Sequence, residues 1–328
     1  MNSIKNSSEL SEQRACVILT GPTAVGKTAL SVRLAKAING AVISADSMQI
    51  YRRMDIGSAK ITPQEMDGVP HYLIDCLDPE ESFDVYQFQQ LAQKAAEKIL
   101  REGQIPILAG GTGFYIQAFL KDVDFSESEG ASARRARLEQ ESRELGAEAM
   151  HARLAAVDPE SAASIHPNNR KRVIRALEFY YETGRPISAH NAEQQQKTPT
   201  WNYVYFVLTD DRETIYRRIE ARVDQMIADG LEEEVQNLWQ SGLTESHTSM
   251  KGLGYREWFP YFRGACSREE VIQKIKTDTR HFAKRQLTWF RREPDVIWTD
   301  KRTFGHDEDA VLAFLVQECR RRGVCGHC

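Results

Sequence analysis

The sequence predicts an α/β fold, a P-loop-type parallel sheet flanked by helices, with a mostly helical insertion domain. Short apolar runs alternate with helical segments in both halves of the chain, which is typical of parallel βαβ units. Between the halves, from 121 to about 196, charged helical segments dominate and no strand pattern is apparent. A glycine-rich strand-to-helix turn near the start of the chain indicates that the core is of the P-loop type.

The predicted strands are short apolar runs, as expected of strands buried on both faces of a parallel sheet. They cover 15–19, 41–45, 105–109, 203–208 and 296–298. Helical patterns over 28–38 and 84–101 lie between the first three strands, and Gly103 closes the second helix. The order strand, helix, strand places the first three strands in one parallel sheet.

The change of pattern near 121 divides the chain. The polar stretch 188–199 is interpreted as a linker back to the core. The predicted segments are a disordered N-terminus at 1–14, an α/β core made of 15–120 and 199–302, a helical insertion at 121–198, and a C-terminal helix and tail at 303–328.

Composition restricts the class of protein. Of the 328 residues, 41% are hydrophobic and 27% are charged, as in ordinary globular proteins, and no apolar stretch is long enough to span a bilayer. The first fourteen residues lack the apolar run of a secretory signal. Six cysteines, two of them in apolar strand-like runs, favour a reducing compartment over a disulfide framework. The expected form is a cytoplasmic monomer, and its net charge of −4 means that local basic patches must contact any nucleic acid.

Residues 21–28, GPTAVGKT, match the pattern G-x-x-x-x-G-K-[ST] directly after a strand and before a helix. In that context backbone N–H groups converge on phosphate oxygens, and the helix N-terminus adds favourable potential. Lys27 is expected to neutralise a diphosphate, and the Thr28 hydroxyl to hold Mg²⁺. The alternative is a glycine-rich turn without a ligand. The predicted phosphate-binding residues are Gly21, Pro22, Thr23, Ala24, Val25, Gly26, Lys27 and Thr28.

A P-loop does not identify the reaction, because most proteins that carry one bind ATP or GTP and cleave or transfer the γ-phosphoryl group. Those proteins usually have an apolar strand that ends in a magnesium-binding Asp. Here the corresponding run, IPILAGG at 105–111, ends in glycines. The missing Asp argues against nucleotide hydrolysis.

Two further segments carry candidate chemistry. Asp46 follows the second strand directly, so it should lie at the same sheet edge as the P-loop, where it could act as a general base. A helix cap or turn is the alternative role for this carboxylate. In GGTGFYI at 110–116, Thr112 can donate a hydrogen bond to a leaving diphosphate, although a tight turn that opens a helix explains the glycines equally.

Taken together, these segments carry a family resemblance. GPTAVGKT, DSMQIYRRMDIGSAK at 46–60 and GGTGFYI occur in the order and spacing found in the tRNA dimethylallyltransferases, also called tRNA isopentenyltransferases, which this chain closely resembles. The resemblance continues through segments at 165–186, 216–235, 251–258 and 284–292, and spans about 15–300.

The resemblance implies transfer of a dimethylallyl group from dimethylallyl diphosphate to the N6 amine of adenosine 37, next to the anticodon of a tRNA. Asp46 would take the proton of the amine. Lys27, Mg²⁺ and Thr112 would stabilise the leaving diphosphate. Arg218 and Arg222, four apart on one helix face, could reach the diphosphate from the opposite side, or could instead pair with Glu220 or Asp224 in solvent.

A target base must leave its stack to react, so phosphate contacts and aromatic stacking should offset that cost. Basic clusters at 170–175 and 284–292, the second around Trp289 and Phe290, suit this task, and the insertion is expected to clasp the anticodon stem-loop. The alternative is two solvated helix faces with Trp289 and Phe290 in the core. The predicted tRNA-binding residues are Asp46, Ser47, Met48, Gln49, Lys171, Arg172, Arg175, Lys251, Gly252, Gly254, Tyr255, Arg256, Lys284, Arg285, Gln286, Trp289 and Arg291.

Three features depart from the resemblance. Arg53 stands where relatives usually carry Gly, and Ser58 stands where they usually have Thr. The tail at 319–328 has no recognised counterpart. Its Cys319, Cys325, His327 and Cys328 could ligate a metal, although a disordered tail is favoured because chain ends are often mobile.

Three other functions remain open from the sequence. A prenyltransferase acting on free adenine nucleotides would share the P-loop and the Asp46 segment, but it would not need the insertion or the basic helices. A P-loop kinase would transfer a γ-phosphoryl group. A non-catalytic RNA-binding protein would not need Lys27, Thr28, Asp46 and Thr112 together.

Overall fold

The structure is a computed structural model that describes residues 14–122 and 131–326. The disorder expected at the N-terminus therefore lies outside the described residues, except at Arg14, and so do the proposed ligands His327 and Cys328. The described residues up to Leu120, together with those from Thr200 onwards, form one compact unit, and those within Lys121–Pro199 form another.

The first unit contains one parallel sheet, which confirms the predicted fold class. Its strand order is β3-β2-β4-β1-β5-β6. The strands are β1 (Ala15–Thr20), β2 (Gly40–Ser44), β3 (His71–Tyr72), β4 (Ile105–Gly110), β5 (Asn202–Thr209) and β6 (Val296–Asp300). The sequence did not predict β3, because a strand of two residues is too short to show a periodicity.

The central strand β1 pairs with β4 on one side and with β5 on the other, so Val17 lies opposite both Ile107 and Val204. Its side chains alternate between two hydrophobic cores. Ile18 belongs to the core on one face of the sheet, and Val17 and Leu19 belong to the core on the other face. Burial on both faces explains why the strand is apolar throughout.

Helices cover both faces of this sheet. They are α1 (Lys27–Ile38), α2 (Pro63–Met66), α3 (Val85–Arg101), α4 (Gly113–Lys121), and, after the second unit, α9 (Arg212–Ala228), α10 (Leu231–Gln240), α11 (Phe259–Phe262), α12 (Arg268–Phe290) and α13 (Glu308–Arg321). Helix α3 begins after Asp84, whose side chain and that of Gln87 form a reciprocal capping box. Three short 3₁₀ segments, Ser249–Lys251, Arg256–Trp258 and Lys301–Phe304, complete the unit.

The second unit is helical. It contains α5 (Ala131–Val157), α6 (Pro159–Ser164), α7 (Arg170–Thr183) and α8 (Ile187–Gln196). Non-helical backbone at Gly146 interrupts α5. Helices α5 and α7 pack together around a small core that includes Leu138, Leu154 and Leu177.

The linker prediction for 188–199 is wrong over most of its length, since α8 occupies Ile187–Gln196. The segment begins after Pro186, which cannot continue a preceding helix but is tolerated at a helix start. Its alanine and glutamine residues favour helix, and its polarity is that of a largely solvated element. The disorder expected from 319 onwards is likewise wrong at its start, because Cys319 lies on α13 and is fully buried. Among the described residues, no helix is long and apolar enough to cross a bilayer.

Candidate active site

The phosphate loop connects β1 to α1 and contains two positions whose backbone conformation favours glycine. Gly21 has φ +147°, and a Cβ there would lie 2.4 Å from the carbonyl oxygen of Leu208. Gly26, with φ +96°, precedes α1. Only glycine accommodates both positions without strain or clash, so the amide groups of the loop can face a common centre.

Lys27 turns back over this loop. Its Nζ donates hydrogen bonds to the carbonyl oxygens of Gly21 at 3.0 Å and Pro22 at 2.9 Å. The pKa of Lys27 is lowered to about 7, chiefly by burial and also by the nearby Arg222 charge, while the Asp46 charge acts in the opposite direction. The ammonium of half-buried Lys27 forms no salt bridge with any described residue, so the site favours the arrival of an anion.

Asp46 follows β2 at the same sheet edge. Its Oδ1 accepts a hydrogen bond from the Met48 N–H at 2.8 Å, so it does form the turn contact considered from the sequence. Burial raises the pKa of Asp46, while the Met48 N–H and the Lys27 charge oppose the rise. A carboxylate with a raised pKa is a stronger proton acceptor than an ordinary aspartate.

The glycine loop after β4 lies against the Asp46 segment. A Cβ on Gly110 would lie 2.4 Å from the carbonyl oxygen of Ala45, so glycine permits the close approach. The Thr112 N–H donates to that same oxygen at 3.3 Å. Because β4 lies between β1 and β2, this loop separates the phosphate loop from Asp46 and contacts the segment that carries it.

A cavity of about 480 Å³ connects these groups. Residues of the phosphate loop, the Asp46 segment and the glycine loop line it, together with parts of α9, α12 and the 248–256 region. The lining includes Thr23, Lys27, Thr28, Asp46, Ser47, Met48, Gln49, Thr112, Arg222, Lys251, Gly252, Gly254, Arg256, Arg285 and Gln286. Of the predicted phosphate-binding residues, Thr23, Lys27 and Thr28 therefore share one cavity with the predicted base Asp46, whereas the other five residues of the loop are not part of its lining.

The two arginines predicted to share a helix face lie differently. Arg222 lines the cavity. Arg218 donates to the buried Asp210 carboxylate at 3.1 Å, a partner not considered from the sequence, and among the described residues it is not part of the cavity lining. The positions are four apart, but the helix turns only one of them into the cavity.

Thr28 lies exposed at the start of α1 and lines the cavity. Its hydroxyl is an oxygen ligand of the kind that Mg²⁺ binds, and oxygens of a phosphate ligand would complete the coordination. A magnesium ion carried by a phosphate ligand would therefore find one protein oxygen here, the Thr28 hydroxyl.

Helix α12 presents different residues to the interior and to solvent. Inside, Gln286 is buried, and its amide contacts both the phosphate loop and the glycine loop. Half-buried Trp289 packs over Gly113, where a Cβ would lie 2.2 Å from the indole. Its neighbour Phe114, 43% exposed, presents an aromatic ring to solvent that the sequence analysis did not select. Phe114 belongs to GGTGFYI, and an aromatic residue beside glycines is the sequence signal that could have identified it.

On its outer side and just beyond its end, this part of the chain exposes four cations, which form no salt bridge with any described residue: Lys284, Arg285, Arg291 and Arg292. By contrast, Lys274 and Arg280 on the same helix are paired with Asp278 and Glu220. Unpaired, exposed cations clustered on one element favour a polyanionic partner.

A second basic cluster lies in the other unit, at the start of α7. Arg170, Lys171 and Arg172 are exposed, and none has a salt bridge within the described chain. Arg175 differs, because its Nη1 donates to the buried Glu178 carboxylate at 3.0 Å. Its charge is therefore partly neutralised within the unit.

The 251–256 segment packs on the Asp46–Ala59 region. Gly252 lies under Met48, where a Cβ would meet the Met48 sulfur at 2.5 Å. Lys251 is exposed, whereas Arg256 pairs with Glu257 at 2.6 Å. Tyr255 is buried and donates to Glu234. Sequence reasoning missed Glu234, because nothing local distinguishes it within the run LEEEV.

Gln49 and Arg53 also have structural partners. The Gln49 amide accepts from the Ser44 hydroxyl at 3.0 Å and donates to the Ala59 carbonyl at 3.2 Å. Arg53 has φ +62°, the left-handed region that glycine adopts easily, and its guanidinium pairs with Glu80 at 2.8 Å. The departure from Gly noted in the sequence therefore falls at a position where the backbone favours glycine.

Comparison with known proteins gives one consistent family. The sequence model of the IPP transferase family matches residues 49–293. The chain is 54% identical over 301 residues to a tRNA dimethylallyltransferase of Lachnoclostridium phytofermentans, covering 92% of this chain and 96% of that protein. It is 49% identical to a tRNA dimethylallyltransferase of Bacillus cytotoxicus, over 94% of this chain and 96% of the relative.

Solved structures agree. The full-length tRNA isopentenylpyrophosphate transferase of Bacillus halodurans superposes with a TM-score of 0.70 at 42% identity, covering 94% of this chain and 98% of that one. A eukaryotic dimethylallyltransferase, described as acting on tRNA, gives a TM-score of 0.78 at 28% identity, over 93% of this chain and 79% of its own.

Proposed function

The chain belongs to the IPP transferase family, and we propose that it transfers a dimethylallyl group from dimethylallyl diphosphate to the N6 amine of adenosine 37 in tRNA, releasing diphosphate. The observation that carries the proposal is the single cavity lined by both the phosphate loop and Asp46. A donor diphosphate on that loop and an amine beside Asp46 would meet inside it.

The reaction forms a bond between N6 and the allylic carbon and breaks the bond between that carbon and the diphosphate oxygen. The N6 lone pair is delocalised into the adenine ring, so a base must take the proton as the new bond forms. Asp46, with its raised pKa, is the proposed acceptor of that proton. The electron pair of the broken bond leaves with the diphosphate.

Stabilisation of the leaving group is proposed to come from the phosphate loop and its surroundings. Loop amides and the Lys27 ammonium would face the diphosphate, Arg222 would approach from α9, and Thr112 would donate a hydrogen bond. Mg²⁺ held by Thr28 would add positive charge to the same oxygens.

The acceptor is proposed to be the anticodon loop of a tRNA, and the protein to act as a monomer. Single-stranded RNA loops allow a base to be extruded, and exposed cations bind the flanking phosphates. The unpaired cluster Lys284, Arg285 and Arg291 and the exposed Lys251 support this choice over a free nucleotide, which needs no extended basic surface.

The test is incubation of the protein with dimethylallyl diphosphate, Mg²⁺ and an unmodified tRNA transcript, followed by nucleoside mass spectrometry. The expected product is an adenosine carrying one five-carbon group next to the anticodon. Parallel reactions with AMP, and with ATP labelled in the γ-phosphoryl group, distinguish the other candidates. Modification of AMP but not of tRNA, or phosphoryl transfer without prenylation, would overturn the proposal.

A further inference from the structure

Gln286 occupies an unusual place on α12. It is 6% exposed, although the residues two and one before it, Lys284 and Arg285, are exposed cations. Its side chain is turned away from solvent and lies at the sheet edge, between the phosphate loop and the glycine loop. The family resemblance placed it among RNA contacts, but its amide is used inside the protein.

Both ends of that amide are engaged. The Oε1 atom accepts a hydrogen bond from the Thr23 N–H at 2.8 Å, and Nε2 donates to the Gly111 carbonyl oxygen at 3.0 Å. The Thr23 N–H needs an acceptor, and the Gly111 carbonyl needs a donor. A neutral primary amide supplies both in one planar group. A glutamate or a methionine of similar size could not satisfy both backbone groups.

Gly111 leaves the space that the Gln286 amide occupies. A Cβ on Gly111 would lie 2.0 Å from Gln286 Nε2, well inside the contact distance of any real atom pair. The backbone φ at this position is not among the positive values, so conformational freedom does not explain the residue. Gly111 and Gln286 therefore form a matched pair.

The contact joins loops that carry different parts of the proposed chemistry. Thr23 belongs to the phosphate loop, and Gly111 precedes Thr112, whose N–H donates to Ala45 next to Asp46. A continuous set of hydrogen bonds thus runs from the phosphate loop through Gln286 to the segment of the proposed base. It also occupies the Thr23 N–H, the first amide of the loop after Pro22.

We propose that Gln286 is a positioning residue that fixes the separation between the diphosphate-binding loop and the Asp46 segment. It acts through Thr23 and Gly111 and does not touch the reacting atoms. The inference rests on the proposed function for its kinetic consequence, because a transfer reaction requires the donor carbon to be held within attacking distance of the amine. The structural part, a loop tied by one amide, does not depend on which reaction occurs.

The experiment compares Gln286→Met, which removes both hydrogen bonds at similar volume, and Gln286→Glu, which keeps only the acceptor. Gln273→Met is the matched control, since Gln273 lies exposed on the same helix. Single-turnover transfer with saturating donor should be slower by about tenfold or more in both Gln286 variants, while the KM for tRNA stays within about twofold of wild type. The control should match wild type.

Hydrogen–deuterium exchange gives a readout that does not need activity. The peptide that contains 21–28 should exchange faster in Gln286→Met than in wild type or the control, because a fixed amide has lost its acceptor. If wild type shows no transfer, the proposed function fails, while the exchange result still tests whether the Gln286 amide fixes the phosphate loop. A raised KM for tRNA with an unchanged single-turnover rate, or unchanged exchange, would overturn the inference.

Discussion

The Tyr255 hydroxyl donates a hydrogen bond to Glu234 Oε1 at 2.7 Å, and the same carboxylate accepts from the consecutive amides of residues 55–57 at 2.8 to 3.0 Å. A Cβ on Gly57 would lie 2.5 Å from the Tyr255 ring carbon Cζ, so glycine leaves the space that the ring occupies. One side chain of α10 therefore ties the 46–60 segment to the 251–256 segment. Both segments line the cavity, so the carboxylate holds together the wall that they form.

We expect Glu234→Gln to lower the free energy of unfolding by about 1–3 kcal/mol, because an amide nitrogen would face backbone N–H groups that need an acceptor. Tyr255→Phe, which removes one hydrogen bond and keeps the ring, should cost about 1 kcal/mol. Urea denaturation followed by circular dichroism measures both changes. Glu233→Gln, at the exposed neighbouring position, is the control, and equal stability of Glu234→Gln and this control would contradict the account.

Donor binding should take up protons at Lys27. Its pKa of about 7 means that much of the ammonium is lost as the pH rises through 7. A bound diphosphate favours the charged form and raises that pKa, so binding at pH 8 should consume up to about one proton, and affinity should fall as the pH rises above 7. Calorimetry with dimethylallyl diphosphate in buffers of different ionisation enthalpy measures the uptake. Lys27→Arg, which stays protonated, should show none, and identical wild-type heats in both buffers at pH 8 would refute the linkage.

Asp46→Asn should separate chemistry from donor binding. The amide keeps an oxygen for the Met48 N–H but cannot take a proton, so the single-turnover rate should fall by about 10²- to 10⁴-fold while donor affinity changes little. In wild type the rate should rise with pH through the Asp46 pKa, which lies above the usual aspartate range, because the base works deprotonated. Asp309→Asn, at an exposed carboxylate on α13, is the control. A rate that falls in step with donor affinity would remove Asp46 from the base role.

The unpaired cations of α12 should set the salt dependence of RNA binding. Lys284→Gln and Arg285→Gln should each weaken binding of an anticodon stem-loop and reduce the slope of log affinity against log salt by about one, since each removes one phosphate contact. Fluorescence anisotropy at several potassium chloride concentrations measures the slope. Lys274→Gln, whose lysine is already paired with Asp278 on the same helix, should leave the slope unchanged. Equal slopes for all variants would place the RNA elsewhere.

Much of the architecture follows from local patterns. The P-loop and the apolar runs predict a parallel sheet, and Asp46 directly after β2 is placed at its carboxyl edge by the parallel arrangement alone. Helix α8 was mistaken for a linker because polar composition does not distinguish a solvated helix from a loop. Helix spacing does not predict the pairing of Arg218 with Asp210. It indicates that two residues share a helix face, but not which residues pack against that face.

The phosphate loop, the fold class and the place of Asp46 at the sheet edge follow from the sequence alone, because each depends on residues that are neighbours along the chain or on one strand. The contact of Gln286 with Thr23, 263 positions away, and the hydrogen bonds of Glu234 with the amides of 55–57 arise only from tertiary packing. Those contacts depend on strand order and on how α10 and α12 pack against the sheet. No local period encodes them, since they bring together segments that the chain separates by most of its length.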